Sequence, residues 1–330
     1  MTDLRTAQTA EERTAGWFPS RWGPEDAAGA LNEITPAVVL DAVRLVRSGR
    51  VHELAHVLHA DVPAFPGRTF RSYLTTNYHY VNRRRADGSP EGWGRNAVNW
   101  IVEQITATQQ MGTHLDALNH LQVGDRTYNG HRLTDIAEDW GTNRLGVESL
   151  PQIVTRGLLL DVAAVRGVDR LQSGDVITIA DALAALGNRT LRPGDVVTVA
   201  DAEAALEGRP LRPGDGVLFH TGWGGFWGVD DDRYSAGEPG PGQDLAEWLA
   251  AHRVALTGCD TWSYGPVPAE DPAEPFVVPQ TLNVRHGVVV LENLRLAEAA
   301  AAGLREFLLV VSHAKLRGAT GAWVTPLAIT

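Results

Sequence analysis

The chain has 330 residues, of which 44% are hydrophobic and 21% are charged. This balance is typical of a globular protein that can bury a large core, and it excludes wholesale disorder. The formal net charge of −11 at pH 7 is unfavourable for nucleic acids and anionic membranes as partners. With Cys259 as its single cysteine, the chain cannot form an intrachain disulfide.

The N-terminal part combines a polar start with one clear helix signal. Thr35 and Pro36 match the N-cap and first position of a helix over 37–48. From Val51 onward, short strand-like and helix-like runs alternate, which predicts a mixed α/β fold. Residues 1–50 contain no secretory signal pattern and the sequence has no membrane-length apolar run, so we expect a cytoplasmic protein.

Residues 110–120 place two imidazoles and a carboxylate close together. His114 and Asp116 are two residues apart, so both side chains leave the same face of an extended backbone. Imidazole nitrogen with carboxylate oxygen suits zinc, manganese or iron better than calcium or magnesium. His120 is a further ligand or a proton shuttle, because imidazole titrates near neutral pH. The alternative is a hydrogen-bonded His–Asp pair in a loop.

An internal repeat lies in the middle of the chain. The sequence of 171–186 recurs at 191–206, and a third start at Leu211 opens into a strand-like run. Each full unit predicts a turn, a short strand and a helix N-capped by Asp181 or Asp201. So few copies do not make a solenoid, and we interpret them as a local duplication.

The 110–120 stretch resembles a known signature. The cyclase family, which contains bacterial kynurenine formamidase and isatin hydrolase, carries His-x-Gly-Thr-His-x-Asp-x-Pro-x-His. Gln110 stands where the first His is usual, and Leu118 stands where Pro is usual. The matching residues are Gly112, Thr113, His114, Asp116 and His120.

A second match lies near the C-terminus, where Gly287, an apolar run and Glu292 resemble the family's closing strand. Gln280 stands where a zinc-ligand His is common, and in the binuclear formamidases that His and the Glu hold the second metal. Both glutamines, Gln110 and Gln280, thus replace a metal-site His. This resembles the isatin-hydrolase branch, in which His, Asp and a Gln carbonyl hold one manganese. The resemblance implies one divalent ion, manganese before zinc, on His114, Asp116 and Gln280.

The resemblance also implies a substrate pocket with an aromatic wall. Phe65 occupies the position of the family's pocket aromatic, although it could simply pack its own loop. His220 replaces an Arg at a strand end and is a candidate substrate contact, with a buried core histidine as the alternative. Trp262 lies in a turn resembling Gly-x-Asp-x-x-Ser, and Trp93 lies in a loop rich in Gly and Pro. An aromatic small-molecule substrate follows from this wall.

The resemblance runs from about Val51 to the C-terminus. It implies a single swivelling β/β/α domain over 51–330, preceded by a helical extension over 1–50, and a homodimer or homotetramer. The implied reaction is metal-assisted hydrolysis of a carbon–nitrogen bond in a cyclic amide or formamide. His120 would take a proton from the attacking water and return it to the leaving nitrogen. The alternatives are a lactone or ester hydrolase, a ring-closing or dehydrating cyclase, and a metal-binding protein without catalysis.

Overall fold

The computed structural model describes residues 9–76, 86–89, 92, 94–98, 100–187 and 210–330. Trp93 and the second repeat unit at 191–206 lie outside the described residues. The strands are β1 (Val51–Glu53), β2 (Phe70–Thr76), β3 (Val102–Ala107), β4 (His114–Asp116), β5 (Ala137–Glu138), β6 (Gly141–Thr142), β7 (Ile153–Asp161), β8 (Val176–Ile177), β9 (Gly216–His220), β10 (Gly240–Pro241), β11 (Leu256–Cys259), β12 (Val289–Glu292), β13 (Glu306–Val311), β14 (Gly321–Trp323) and β15 (Leu327–Ile329). The α-helices are α1 (Ala10–Arg13), α2 (Pro36–Val43), α3 (Leu133–Ile136), α4 (Val162–Val165), α5 (Ile179–Leu186), α6 (Asp231–Ser235), α7 (Gln243–Ala251), α8 (Val277–Gln280) and α9 (Ala297–Ala301). Shorter helical turns cover Gly29–Glu33, Tyr128–Gly130, Val147–Ser149 and Trp223–Phe226, and a π-helical turn covers Thr281–Arg285.

The centre of the fold is a nine-stranded sheet in the order β1-β15-β13-β7-β9-β11-β12-β4-β14. Neighbours from β7 to β12 pair in parallel, and the outer strands pair antiparallel. The parallel strands are buried on both faces, which explains their apolar runs, such as 158–160 in β7 and 217–219 in β9. This arrangement confirms the predicted mixed α/β class.

Two hydrophobic clusters lie on opposite faces of this sheet. Leu158 and Leu160 belong to one cluster, together with residues of α5 and α7. Leu159 belongs to the other cluster, together with Leu31 and Leu115. The division follows from the period of two along a strand, which sends successive side chains to opposite faces. Helices α5 and α7 therefore cover one face, whereas α3, α9 and part of the N-terminal segment pack against the other.

The N-terminal segment packs onto the sheet. The side chain of Thr35 caps α2 by accepting a hydrogen bond from the Val38 amide, as predicted, but α2 ends at Val43 instead of reaching residue 48. The amide of Ala30 donates to the carbonyl of Gly287, at 2.8 Å, and the Tyr128 hydroxyl donates to Asp26, at 2.6 Å. The division into an extension at 1–50 and a domain at 51–330 stays a prediction.

The first repeat unit forms β8 and α5. Its N-cap is Thr178, which accepts a hydrogen bond from the amide of Asp181, while the Asp181 carboxylate accepts from the Thr178 amide. The prediction of an Asp N-cap was therefore wrong by three positions. Threonine with an acid three residues later is a capping box, and the acid sits inside the first turn.

Strands β2 and β3 form a separate antiparallel ribbon. Tyr73, Leu74 and Ile105 on this ribbon are each about half exposed, at 51%, 55% and 46%. The predicted homodimer or homotetramer is not tested by a single chain and stays a prediction. Among the described residues, every helix is too short or too polar to cross a membrane.

Replacing Leu31 by Ala tests how firmly the N-terminal segment is anchored. Leu31 is 2% exposed within the core, so Leu31→Ala should lower the free energy of unfolding by about 3 kcal/mol. Leu40→Ala is the matched control, because Leu40 is 60% exposed on α2 and should change stability by less than about 0.5 kcal/mol. Urea denaturation measures both. Equal small losses would show that the segment contributes little to folding.

Candidate metal centre

The pairing of β4 with β12 gathers three potential ligands on one face of the sheet. Glu292 lies directly opposite His114, and Asp116 is two residues from His114 on the same strand. Directly opposed residues on neighbouring strands share a face, as do residues two apart on one strand. One ligand atom from each of the three buried side chains lies within 4.8 Å of the others. The predicted pairing of His114 with Asp116 therefore gains a third member, Glu292.

The ring of His114 is oriented by its own backbone. Gly112 has a φ of 59°, in the left-handed region that favours glycine, and its carbonyl lies 2.8 Å from Nδ1 of His114. A carbonyl can only accept, so Nδ1 carries the proton and Nε2 presents a lone pair. Nε2 is buried and has no hydrogen-bond partner among the described residues. Burial also lowers the pKa of His114, which favours the neutral ring that binds metals.

The two carboxylates lie close to this free nitrogen. Nε2 of His114 is 3.2 Å from Oε2 of Glu292 and 3.6 Å from Oδ1 of Asp116. Oδ1 of Asp116 is also buried without a hydrogen-bond partner in the described part of the chain. Burial raises the pKa of Asp116, and it raises the pKa of Glu292 to about 7. Buried carboxylates and an unpaired imidazole nitrogen fit a divalent cation, which would compensate their charge.

Opposite Asp116 on the other side of β4 stands Gly321 of β14. A Cβ at Gly321 would lie 2.7 Å from the carbonyl oxygen of Leu115 and 3.6 Å from Oδ1 of Asp116. A side chain there would therefore displace the backbone of the ligand strand. Glycine at this position keeps the space beside the Asp116 carboxylate open.

A cavity opens beside the three candidate ligands. Two of the ligands, Asp116 and Glu292, lie in its wall, and most of the remaining wall is apolar. The ring centroids of Phe65 and Trp262 are 5.8 Å apart, and those of Trp262 and Phe276 are 6.2 Å apart. The lining residues are Phe65, Arg68, Asp116, His120, Leu121, Trp262, Ser263, Phe276, Pro279 and Glu292. The structure thus brings Phe65 and Trp262 together with the ligands.

His120 lies in the same cavity, with Nε2 3.8 Å from Oδ1 of Asp116. Its side chain is 23% exposed, so it can meet both the buried carboxylate and a molecule in the cavity. The backbone around it is tied down, because the amide of His120 donates to the carbonyl of Ala117 and Gln122 donates to the carbonyl of His120. The geometry gives His120 the reach of a proton carrier or of a further ligand.

Two predicted site residues are placed differently. Gln280 is the last residue of α8, and its side-chain nitrogen Nε2 donates to the backbone carbonyl of Gln122, at 2.7 Å. Neither Gln280 nor His220 is among the described residues that line the cavity. His220 ends β9, where Nδ1 lies 2.9 Å from Asp161 and Nε2 lies 3.9 Å from Asp260. Their roles as metal ligand and as substrate contact stay predictions.

Sequence reasoning missed Arg68, Ser263 and Phe276 as parts of the site. Arg68 follows the Pro-Gly turn that carries Phe65, and this proximity was the available signal. Phe276 lies in a loop rich in Pro and acidic residues and reaches Trp262 through the tertiary fold. The side-chain nitrogen of Gln110, which stands at the position of the family's first His, donates to the hydroxyl of Thr320, at 2.9 Å.

A comparison with models of known protein families shows to which family the chain belongs. The family model named Cyclase matches residues 52–266. The chain belongs to the Cyclase family. A comparison with curated proteins gave no match.

Solved structures share the fold of this chain. A crystal structure described as a novel cyclase is 27% identical, with a TM-score of 0.77, and the match covers 94% of this chain and 96% of that one. An isatin hydrolase bound to the product analogue thioisatinate is 18% identical, with a TM-score of 0.57 and coverage of 90% and 99%. Isatin hydrolase A from Ralstonia solanacearum is 21% identical, with a TM-score of 0.57 and coverage of 89% and 96%. The predicted cyclase-family fold is confirmed.

Metal content tests the ligand set. Purified, metal-loaded protein should hold about one divalent ion per chain, because three buried ligand atoms converge on one point. Asp116→Ala and Glu292→Gln should each lose most of it, as measured by inductively coupled plasma mass spectrometry. Asp135→Ala, which removes an exposed carboxylate, is the control and should keep it. Gln280→Ala tests whether Gln280 is a metal ligand as well as a hydrogen-bond donor to Gln122, since loss of the ion would indicate a ligand. Retention of the ion by Asp116→Ala would contradict the site.

The raised pKa of Glu292 predicts a pH-dependent stability of the metal-free protein. The pKa rises from 4.5 to about 7 on folding, so the folded state keeps a proton that the unfolded chain has lost. The free energy of unfolding should therefore fall as the pH rises through this window. Between about pH 4.5 and about pH 8, chelator-treated protein should lose at least about 1 kcal/mol more than Glu292→Gln. Urea denaturation measures this, and equal losses would refute the assignment.

Proposed function

We propose that this protein is a metal-dependent hydrolase that opens a carbon–nitrogen bond in an aromatic cyclic amide or formamide. The observation that carries the proposal is the meeting of three groups in one place. A buried ligand set of His114, Asp116 and Glu292 adjoins an apolar aromatic cavity, and His120 stands within 3.8 Å of Asp116. Ligands for a cation, a proton carrier and a wall for a planar substrate are the parts that such hydrolysis requires.

The relatives support the reaction class. The structures with this fold include isatin hydrolases and a protein described as a potential metal-dependent hydrolase with cyclase activity. The isatin hydrolases support hydrolysis of a cyclic amide in particular. The proposal for this chain takes the reaction type from these descriptions and the residues from its own site.

The cation would be held by His114, Asp116 and Glu292, with the side-chain oxygen of Gln280 as a further candidate. Two carboxylates and one imidazole form a harder donor set than a cluster of histidines, which favours manganese, with zinc next. When bound, a divalent cation supplies polarisation of the substrate carbonyl and a lower pKa for water. The fit rests on the two buried atoms that lack partners among the described residues, Nε2 of His114 and Oδ1 of Asp116.

The side chains of the cavity would divide the remaining work. His120 takes a proton from the attacking water as the new carbon–oxygen bond forms, and it delivers that proton to the nitrogen as the carbon–nitrogen bond breaks. Oδ1 of Asp116 lies 3.8 Å from Nε2 of His120, so the proton carrier stands directly beside the candidate ligands. Phe65, Trp262 and Phe276 hold a planar ring against the wall and keep bulk water away.

Other reactions remain within reach of the same groups. A lactone or ester has the same carbonyl and a better leaving group, and a ring-closing or dehydrating step would need the same proton carrier. A metal-binding protein without catalysis would have no use for His120 as a proton carrier. A panel of lactams, formamides, lactones and esters separates these reactions.

The activity of His120→Ala tests the proposal. Wild-type protein loaded with manganese should hydrolyse an aryl lactam such as isatin or an aryl formamide. His120→Ala should lower kcat by about a hundredfold or more, because general acid–base catalysis contributes rate enhancements of about that size. Steady-state absorbance assays at saturating substrate measure kcat.

The matched control is His131→Ala, which removes an imidazole that is not among the cavity-lining residues of the described chain. It should retain wild-type kcat. The metal content of His120→Ala must be measured in parallel, so that loss of the ion is not mistaken for loss of the base. A His120→Ala variant with full metal content and wild-type kcat would overturn the assigned role.

A further inference from the structure

Arg68 is a cation in the wall of the cavity without a carboxylate partner. Elsewhere in the described chain, the buried Arg156 pairs with Asp215 and Glu306, and the partly buried Arg166 pairs with Asp181. Arg68, which is also partly buried, forms no ion pair within 4.0 Å with any described residue, although its charge acts at longer range on the two carboxylates that line the same cavity. Because burying part of a guanidinium costs free energy, an unpaired one facing a cavity marks a place for an anionic ligand.

The position of Arg68 is fixed from two sides. The amide of Arg68 donates to the carbonyl of Phe65 and closes the turn around Gly67, whose φ is 87°. Nη1 of Arg68 donates to the carbonyl of Gln110, at 2.7 Å, just before the strand of His114. The guanidinium carbon lies 5.4 Å from the ring centroid of Phe65. One hydrogen bond thus uses a single N–H, and other donors of the planar group remain for a ligand.

The charge of the site points to a monoanion. Asp116 and Glu292 together carry two negative charges when ionised, which a divalent cation balances. Arg68 then leaves one positive charge in a largely apolar cavity. A ligand with one negative charge and a planar ring would neutralise that charge and fill the space between Phe65, Trp262 and Phe276.

We propose that Arg68 binds a carboxylate carried by the substrate, so that the substrates are aryl amides or lactams with an anionic group away from the bond that is cleaved. This inference rests on the proposed hydrolase function and specifies its substrate class. Arg68 determines specificity by pairing with the anionic substituent, while the scissile carbonyl lies toward His120 and the metal ligands. A neutral substrate of the same shape would leave the guanidinium unpaired.

Binding of two matched ligands tests the anion subsite without turnover. Benzenesulfonate is anionic and a weak metal ligand, and methyl phenyl sulfone is its neutral counterpart. By calorimetry, metal-loaded wild-type protein should bind the sulfonate at least about tenfold more tightly than the sulfone, the factor expected for a charge-assisted hydrogen bond. Arg68→Met should abolish this preference. Arg71→Met, which removes an exposed arginine of the same segment, should keep it.

Arg68→Lys is the control for misfolding of Arg68→Met. It keeps a positive charge and should therefore keep part of the preference for the sulfonate over the sulfone. Sulfone binding checks that each variant retains the cavity. Undiminished preference in Arg68→Met, equal binding of both ligands by wild-type protein, or binding of neither would overturn the proposal.

Kinetics with matched substrates separate this inference from the hydrolase assignment. Arg68→Met should raise KM for meta-formamidobenzoate by about tenfold and leave KM for formanilide within about twofold. Equal losses for both substrates would assign Arg68 to the fold or to the reacting carbonyl, and would overturn the specificity role. If wild-type protein cleaves neither compound while the sulfonate preference depends on Arg68, the hydrolase assignment fails and the anion subsite stands.

Discussion

Burial of two carboxylates beside one imidazole is the constraint on which the rest of this structure depends. Asp116 and Glu292 are almost completely buried, and burial raises the pKa of both. Such an arrangement costs free energy in folding unless a cation compensates it. These buried groups lie where β4 pairs with an antiparallel strand on each side, β12 on one and β14 on the other. A sheet is rigid enough to keep ligand atoms at fixed distances when the ion is absent.

The surroundings of the site are held by a second layer of buried polar groups. Glu238 accepts hydrogen bonds from the amide of Trp262, at 2.8 Å, and from the hydroxyl of Ser263, at 2.6 Å. Burial raises the pKa of Glu238 well above its usual range. Asn293, the residue after Glu292, accepts from Tyr234 at its side chain. These contacts fix the backbone that presents the aromatic wall and the third ligand, which is how a scaffold preorganises a site.

His220 and Gln280 show how a side chain's role depends on its neighbours in space. His220 ends one parallel strand, Asp161 ends the neighbouring strand on one side, and Asp260 follows the strand on the other side, so their side chains meet at one edge of the sheet. Adjacent carboxyl ends of parallel strands bring such groups together whatever their separation in the sequence. The side chain of Gln280 donates a hydrogen bond to the backbone of Gln122, and this contact joins α8 to the segment that follows His120. Comparison of motif spacing identifies such residues, but it does not reveal which neighbouring group each side chain contacts.

The sequence by itself determined the class of fold and the family, and it predicted two of the three candidate metal ligands that the structure brings together, His114 and Asp116. Alternating apolar runs indicated mixed α/β structure, and the spacing of His114, Asp116 and His120 indicated a shared site, because period-two geometry acts between residues close in the chain. Only the tertiary structure decided that Glu292 faces His114, that Arg68 stands unpaired among the described residues of the cavity, and that Phe276 completes its wall. These contacts join segments far apart in the sequence, and strand register and loop packing set them. Local sequence patterns do not encode such distances.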